Sequence, residues 1–578
     1  MPDSPTVTAN AEPRLRAGLR GVRLEALLAS LGGVLLACVL RFPVLRDLRT
    51  GVPEDLGDPL LQVWQLAWGR HALLHQPLHP FDANAFWPLE DSLAFSDSLL
   101  GYAPLGLLLP EDLLRYNVIF LLTYALAFAG TYALVRQLGA SRPAAALAGV
   151  GFAYAPWHLA QEGHLQILST GGIPLALALL ARGHGYGHRS GQGQHSGPAR
   201  PGLVVAGWAV AAWQVTLGFG LGLQFGYLLG ALTAGFAVVW LWDRRRGGRA
   251  RRPDRRLVLA ETIGMVGFLV VSGLFALPYL GVVERHPEAE RTVQVLDVFS
   301  PPARGFLTAP ADSWLYGDLQ EGMREGMTAP TEMTLAVGGA LVVLAAIGLA
   351  MGRWPRRRRI GLAAGTVVLL VLAMGTQALF GGRYSYLLLF EHAPGWQGIR
   401  TPGRLIVPAT LALALLAASG LDRLREAVGG GRRAHVLAAV ALLLVVGETL
   451  GTTPVQPPPP RPAALDDPVA PVMVLPSSEI PDISAMYFSS DRLYPLVNGY
   501  SGFTPTVLNE LRAAVAAFPD EASVEVLREL GVRTVVLLPD SAVGTPWEGA
   551  AARPVEGLPL ERRFVGRAVV YELAPARS

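Results

Sequence analysis

The 578-residue chain contains no lysine, a single cysteine and few charges, which make up 16% of residues against 51% hydrophobic ones. So low a charge content excludes a soluble multidomain enzyme, for which about a quarter of residues would be charged. Cys38 stands alone inside the first apolar block, so no intrachain disulfide can form and every part must hold together by packing and hydrogen bonds. Without lysine, arginine carries all the positive charge, as a GC-rich coding sequence would dictate, and this points to no chemistry. A net charge of +3 and a pI near 9.0 would suit a nucleic-acid binder. The arginines cluster between apolar blocks, however, where they act as topology signals, so no nucleic-acid partner is expected.

What the chain does have is long apolar runs. Blocks such as 24–40, 257–280 and 362–379 are long enough to span a bilayer. Helices are expected near 24–42, 114–135, 143–160, 165–181, 202–218, 222–242, 257–281, 331–351, 360–378, 404–420 and 434–451. The dense arginine runs then fall on alternate loops: RQLGASRP, DRRRGGRARRPDRR, GRWPRRRR and DRLREAVGGGRR on one side, with the long, acid-bearing loops 43–113 and 282–330 on the other. By the positive-inside rule the N-terminus is cytoplasmic and the C-terminus extracytoplasmic. The fold class is therefore mainly α, a polytopic bundle of about eleven transmembrane helices in a bacterial inner membrane, with membrane lipids as its surroundings. Residues 1–23 form a polar tail, followed by a retained helix and not a removed signal peptide.

After residue 451 the run PVQPPPPRP reads as a stiff spacer within a linker, 452–469. Residues 470–578 read as a small α/β domain that needs neither metal nor disulfide. Its strands are expected at 470–475, 534–538 and 569–573, and its helices at 505–518 and 521–530. Gly218, Gly222, Gly226 and Gly230 recur every fourth residue, a spacing that lets two helices approach closely. The run GFGLGLQFG lacks the strand before it and the acid after it that a dinucleotide fingerprint needs.

The chemistry concentrates after the first helix, in EDLGDPLLQVWQLAW. Glu54, Asp55 and Asp58 precede a segment, 59–74, that places Trp64 and Trp68 on one face and is expected to lie in the membrane interface. Asp58 as N-cap with Pro59 at N1 is the structural alternative to a catalytic Asp58. Residues 98–109 are too short to span and read as a second interfacial or re-entrant piece. GWQGIRTPGR offers Arg400 and Arg404 for phosphate oxygens, or as headgroup anchors. WHLAQEGHLQ gathers Gln161, Glu162, His164 and Gln166 in a turn between two spans, where polar residues often line a cavity. His158 and His164 can equally be polar interfacial residues. The His/Gly segment 183–195 lacks metal-finger spacing, and no metal site is assigned. NGYSGFTP, 498–505, either faces the membrane cavity as a lid or packs and caps a helix.

A first helix, a long outer loop opening on an acidic pair, interfacial helices within it, many further helices and an outer C-terminal domain together resemble the GT-C superfamily of membrane glycosyltransferases. The resemblance covers topology over most of the chain, and its local motif is EDLGDP. GDPLLQVWQLAW, FDANAFWP, GHLQ, IRTPGR and NGYSGFTP also resemble a branch of bacterial membrane proteins filed near those enzymes. The resemblance implies transfer of a sugar from a polyprenyl-phosphate donor to an extracytoplasmic acceptor. Asp58 or Asp55 would be the catalytic carboxylate, acting as base or as ligand of a divalent cation (Mg2+ or Mn2+). Arg400, Arg404, His164, Gln161 and Glu162 would then bind substrate and phosphate. A transporter or lipid flippase, and a non-catalytic envelope assembly protein, are the rival readings. Topology is tested by reporters fused after Gly247 and after Ser578: the expected result is opposite compartments, and the same compartment at both points contradicts the eleven-helix scheme.

Overall fold

A computed structural model describes residues 11–186, 198–245 and 254–576. Its longer helices are α1 (Ala11–Leu40), α2 (Asp58–His75), α3 (Asp112–Gln137), α4 (Arg142–Ala153), α5 (Gly172–Gly183), α6 (Pro201–Leu217), α7 (Phe219–Arg245) and α8 (Arg255–Arg285). They continue as α9 (Gly339–Met351), α10 (Arg356–Ala373), α11 (Ile406–Ala427), α12 (Gly431–Glu448), α13 (Glu479–Ser489), α14 (Thr506–Ala514) and α15 (Glu521–Glu529). Every expected apolar block contains one of α1 and α3–α12. Among the described residues six helical segments are long and apolar enough by themselves to cross a membrane, and α6 and α9 are shorter apolar helices. The chain is an integral membrane protein. Part of the expected polar tail is helical, since α1 starts at Ala11, while residues 1–10, 187–197 of the His/Gly segment and 246–253 of one arginine run lie outside the described residues.

Three expected spans are broken. α4 stops at Ala153 because Pro156 disfavours helix in the residues before it, and a 3-10 turn, Pro156–Gln161, comes next. The next block is split into Leu165–Leu168 and α5. The block from 331 holds only one turn, Pro330–Met333, before α9 starts at Gly339. There the Glu448 carboxylate accepts from the Ala340 amide through both oxygens at 3.0 Å, and Tyr316 donates to it at 2.6 Å. An acid at a helix N-terminus is stabilising. Gly338, at φ +96°, makes room for it, since a Cβ there would lie 2.7 Å from Glu448 Oε2.

The helices pack with α11 at the centre, 94% of its apolar window buried, whereas α1, α7 and α8 leave all but 11% of theirs uncovered. Their outward Leu31, Leu35, Val239, Leu269 and Leu274 form an apolar belt of the kind a lipid bilayer covers. α9 meets α11 through glycines: a Cβ at Gly348 would lie 1.9 Å from the Leu416 carbonyl oxygen, and one at Gly420 would lie 2.3 Å from that of Leu344. The expected glycine stripe of α7 is not one seam. Gly222 faces Val215 of the preceding helix, Gly226 faces Phe268 of α8, and Gly230 faces open space.

Glu25, midway along α1 at the start of its apolar stretch, binds Arg136 at 2.5 Å and Arg142 at 2.9 Å, and Ser141 beside them donates its amide to Asp422. Arg425 reaches Ser141, and Arg353 reaches Glu426, so the arginine-bearing loops gather at this end. Arg41, about 24 Å further along α1, marks the opposite end, where the acidic loop and the sheet lie.

At that end β1 (Val52–Pro53) pairs antiparallel with β2 (Val455–Gln456), so the chain after residue 451 is strapped to the acidic loop and is not a free spacer. The four-stranded sheet runs β3 (Val472–Leu475), β4 (Thr534–Leu537), β6 (Ala568–Leu573), β5 (Leu560–Val565) in spatial order. β3 is parallel to β4 and the other pairs are antiparallel. Loop residues 84–87 add hydrogen bonds to this unit: Phe86 and Trp87 amides donate to Asn498 and Leu496, and the Leu496 amide donates back to Asn84. α2 does not present its tryptophans to a membrane interface. Trp64 and Trp68 are buried in one core with the sheet, and their indoles donate to Asn84 and Pro80 at 2.9 Å. Residues 98–109 form only short turns, Leu100–Tyr102 and Ala103–Gly106.

Candidate active site

The first turn of α2 presents Asp58, whose place is inside the helix, since Gly57 is the N-cap and no side chain caps it. Asp58 is thus not the capping residue, and its carboxylate is free to point away from the helix end. Gln62, one turn on and on the same face, fixes the segment opposite. Its Nε2 donates to the Gly163 carbonyl at 2.9 Å and to Gln166 at 3.0 Å, and its Oε1 accepts the Leu165 amide at 3.0 Å. This holds the turn after α4 so that His164 Nε2 lies 3.2 Å from Asp58 Oδ2. From the other side Tyr500 donates its hydroxyl to Asp58 Oδ1 at 3.3 Å. The carboxylate keeps 30% of its surface open, yet protein surrounds it at longer range, as at the floor of a cleft. Burial pushes its pKa up, but the hydrogen bond and charge of His164, the charge of Arg400 and the Tyr500 hydroxyl outweigh that, and the net shift is downward.

Tyr500 belongs to the NGYSGFTP stretch, which both packs and lines the cleft. Asn498 is buried and anchors the stretch, donating to Val474 O and Asp482 and accepting the Val474 amide. Phe503 packs on Phe95 and His286, and Pro505 is the N-cap of α14. Between them the Gly502 carbonyl accepts from Arg291 at 2.9 Å and from Arg400 at 3.5 Å. Neither arginine has a carboxylate partner among the described residues, and Arg400 lies over the Phe299 ring. Burial and the Arg400 charge lower the Arg291 pKa to about 10. Two guanidiniums converging on one neutral oxygen leave donors to spare for an anion. Asp97 completes the wall, accepting the Gly220 amide at 3.2 Å.

The remaining candidates are placed differently. Arg404 is close to Asp58 but already committed to Glu332, at 2.7 Å. Asp55 is exposed and accepts the Gly57 amide at 2.8 Å in a local turn. Glu162 is fully buried and paired with Arg41, with Tyr124 donating to it at 3.0 Å, so it does not reach the cleft. Gln161 is buried with its amide on the Thr331 carbonyl, and His158 is buried against Trp157. The structure therefore brings Asp58, His164 and Arg400 together and keeps Gln161 and Glu162 in the support beneath them. Sequence reasoning singled out the NGYSGFTP stretch without naming Tyr500 within it, and missed Arg291, Asp97 and the positioning Gln62. Of the missed residues, only Gln62 carried a local signal, its four-residue spacing from Asp58.

Among the described residues no group of three or more His, Cys, Asp or Glu comes together to hold a metal. Asp58 and His164 face each other through a hydrogen bond.

The sequence model of a family described as "Domain of unknown function (DUF6311)" matches residues 29–447. The chain belongs to that family. No curated protein matches the chain in sequence. Among solved structures, two cryo-EM classes of a mutant of the arabinofuranosyltransferase AftD from Mycobacteria superpose over 96% of this chain, with TM-scores of 0.52 and 0.54 and 16% identity. This DUF6311 chain spans 42% of the length of that protein. A weaker likeness is to ArnT from Cupriavidus metallidurans bound to undecaprenyl phosphate. It has a TM-score of 0.45 and 16% identity over 96% of this chain and 99% of that one, and is too distant to argue from. The structural neighbours are GT-C glycosyltransferases, and the likeness shows the fold.

Glu54, at φ +71° beside this site, is held by its amide on the Pro454 carbonyl. Burial, then Glu162, Asp312 and Asp55, raise its pKa to about 7. A carboxyl with a raised folded pKa lends stability that is complete below its ordinary value near 4.5 and is lost as pH rises through 7. Melting curves of Glu54→Gln and the parent at pH 5 and pH 8 test this. The variant should lose less stability over that rise, by roughly 1–2 kcal/mol after screening, and an equal loss in both contradicts it.

Proposed function

We propose that this DUF6311 protein is a membrane glycosyltransferase that takes a sugar from a polyprenyl-phosphate donor and gives it to an extracytoplasmic acceptor of the cell envelope. The observation that carries the reading is a partly open carboxylate, Asp58, held ionised by His164, Arg400 and Tyr500, with Arg400 and Arg291 meeting at the Gly502 carbonyl and neither having a carboxylate partner among the described residues, at the sheet-bearing end of an apolar helix bundle. The GT-C fold supports it as architecture. The arginine-bearing loops at the opposite end make that end cytoplasmic by the positive-inside rule. Eleven crossings, like any odd number, would put the two ends of the chain on opposite sides in this placement.

In the reaction the acceptor hydroxyl oxygen bonds to the anomeric carbon while the bond from that carbon to the phosphate oxygen breaks, its electron pair staying on the lipid phosphate. Asp58 takes the hydroxyl proton, and Arg400 with Arg291 balance the charge that grows on the leaving phosphate. His164 and Tyr500 orient the carboxylate. Arg404, neutralised by Glu332, shapes the wall more than it binds. Asp55 supports the turn that begins α2, and Gln161 and Glu162 hold the His164 turn from below.

The transporter reading would need charged groups free to act inside the spans. Glu261 is opposite His184 at 3.4 Å, and Glu448 caps α9, so both have structural roles. A purely scaffolding protein would have no use for an unpaired double-arginine site beside a carboxylate.

The test is sugar transfer in membranes supplied with a labelled polyprenyl-phosphate sugar. Asp58→Asn should lower the rate by about two to four orders of magnitude, and Arg291→Gln with Arg400→Gln should weaken both donor binding and turnover. Asp55→Asn should stay near the parent. Full activity in Asp58→Asn, alone and combined with Asp55→Asn, would remove the transferase mechanism.

A further inference from the structure

α2 carries a second cluster about 18 Å beyond Asp58. There Arg70, His71 and His75 meet Arg115 of α3 and Arg492 from the loop after α13 around a cleft of about 190 Å³. The carboxylates at this cleft are already engaged. Asp112 is bound by Arg115 and by the Ser490 hydroxyl, and Asp491 is bound by Arg461. Among the described residues Arg492 pairs only with Asp467, which is almost wholly exposed, so that pair contributes little. Arg70 has no carboxylate partner among the described residues, and its Nε is buried without a hydrogen bond. Its stem runs over Gly106, where a Cβ would lie 2.7 Å from that of Arg70, so the bare glycine admits the arginine to the cleft. The rings of His71 and His75 lie 4.7 Å apart. Burial, His75 and Arg70 hold the His71 pKa down, as expected where positive charge is in surplus.

The surroundings say which anion fits. Gly69 packs on Ala103 and Gly106 on Arg70, so α2 crosses the short Ala103–Gly106 helix at this point. Beyond the crossing both chains turn leucines outward: Leu73, Leu74 and Leu78 on one, Leu107 and Leu108 on the other, with Leu78 87% and Leu108 76% exposed. Exposed leucines beside a cationic cleft match the boundary between acyl chains and headgroups. We infer that this cleft binds the phosphate of an anionic membrane lipid, with Arg70 and Arg492 donating to its oxygens and the leucines set among the acyl chains. The site is separate from Asp58 and does not depend on the transferase reading.

The test uses the purified full chain in a neutral detergent, with native mass spectrometry and thermal melting as readouts. The probes are phosphatidylglycerol, phosphatidylcholine and inorganic phosphate. Phosphatidylglycerol should be retained and should raise the melting temperature, and phosphatidylcholine should do neither. Arg70→Gln and Arg492→Gln should each weaken phosphatidylglycerol binding roughly tenfold, the value of one hydrogen bond to a charged group. Arg492 is exposed, so its variant decides the matter if Arg70→Gln does not fold. Unchanged phosphatidylglycerol affinity in the folded variants overturns the inference. So does a melting shift fully reproduced by millimolar inorganic phosphate, which would make this a site for a soluble phosphate.

Discussion

The buried ion pair of Arg41 with Glu162 is the contact on which the sheet-bearing end depends. Arg41 closes α1 and Glu162 lies in the turn after α4, and both are almost completely shielded from water. Arg41 also faces the Tyr124 ring at 4.9 Å and the Tyr154 ring at 5.8 Å, and Tyr124 donates to Glu162. Removing one partner of such a pair strands a charge and typically costs about 3–5 kcal/mol. Here the cost would fall on function, because the same turn presents His164 to Asp58 two residues later. Gln62 repeats the constraint from α2, so the turn is gripped from below by an ion pair and from the side by an amide.

A second constraint comes from the far end of the chain. The acidic loop is short of structure of its own, and it is ordered by pairing with the segment beyond α12. β1 joins β2, Glu54 joins Pro454, and residues 84–87 join 494–498. Tyr500, more than 400 residues from Asp58, is delivered to it by Asn498, which is itself saturated by β3 and Asp482. The candidate site is therefore a seam between loops separated widely in sequence, and each loop is fixed by hydrogen bonds that no neighbouring segment could supply.

This seam explains which features could be read in the sequence. Apolar blocks announce helices because lipid demands length and hydropathy, and each expected block holds a helix. The arginine runs announce one end of the bundle because they cannot be buried. Strands β3, β4 and β6 were legible as short apolar runs, while β5, LERRFV, and α13, EIPDISAMYFS, carry too many polar residues to declare themselves. Asp58, His164 and Arg400 were legible by type and by nearness to a span. The burial of Glu162 and the commitment of Arg404 to Glu332 were not, because a charge's partner lies in another segment and leaves no local mark. The same holds for Arg291, an ordinary loop arginine until the Gly502 carbonyl brings it beside Arg400.

The central claim is that a lipid phosphate docks on the Arg291–Arg400 pair, with the sugar it carries between that pair and Asp58. The most direct measurement is photocrosslinking of a polyprenyl-phosphate analogue, with the reactive group next to the phosphate, to the full chain in membranes, with mapping of the labelled peptides. The expected labels are confined to peptides containing Arg291, residues 399–404 and residues 499–503, and are competed away by unlabelled polyprenyl phosphate. Labels spread along the lipid-facing faces of α1, α7 and α8, with none at these loops, would contradict it.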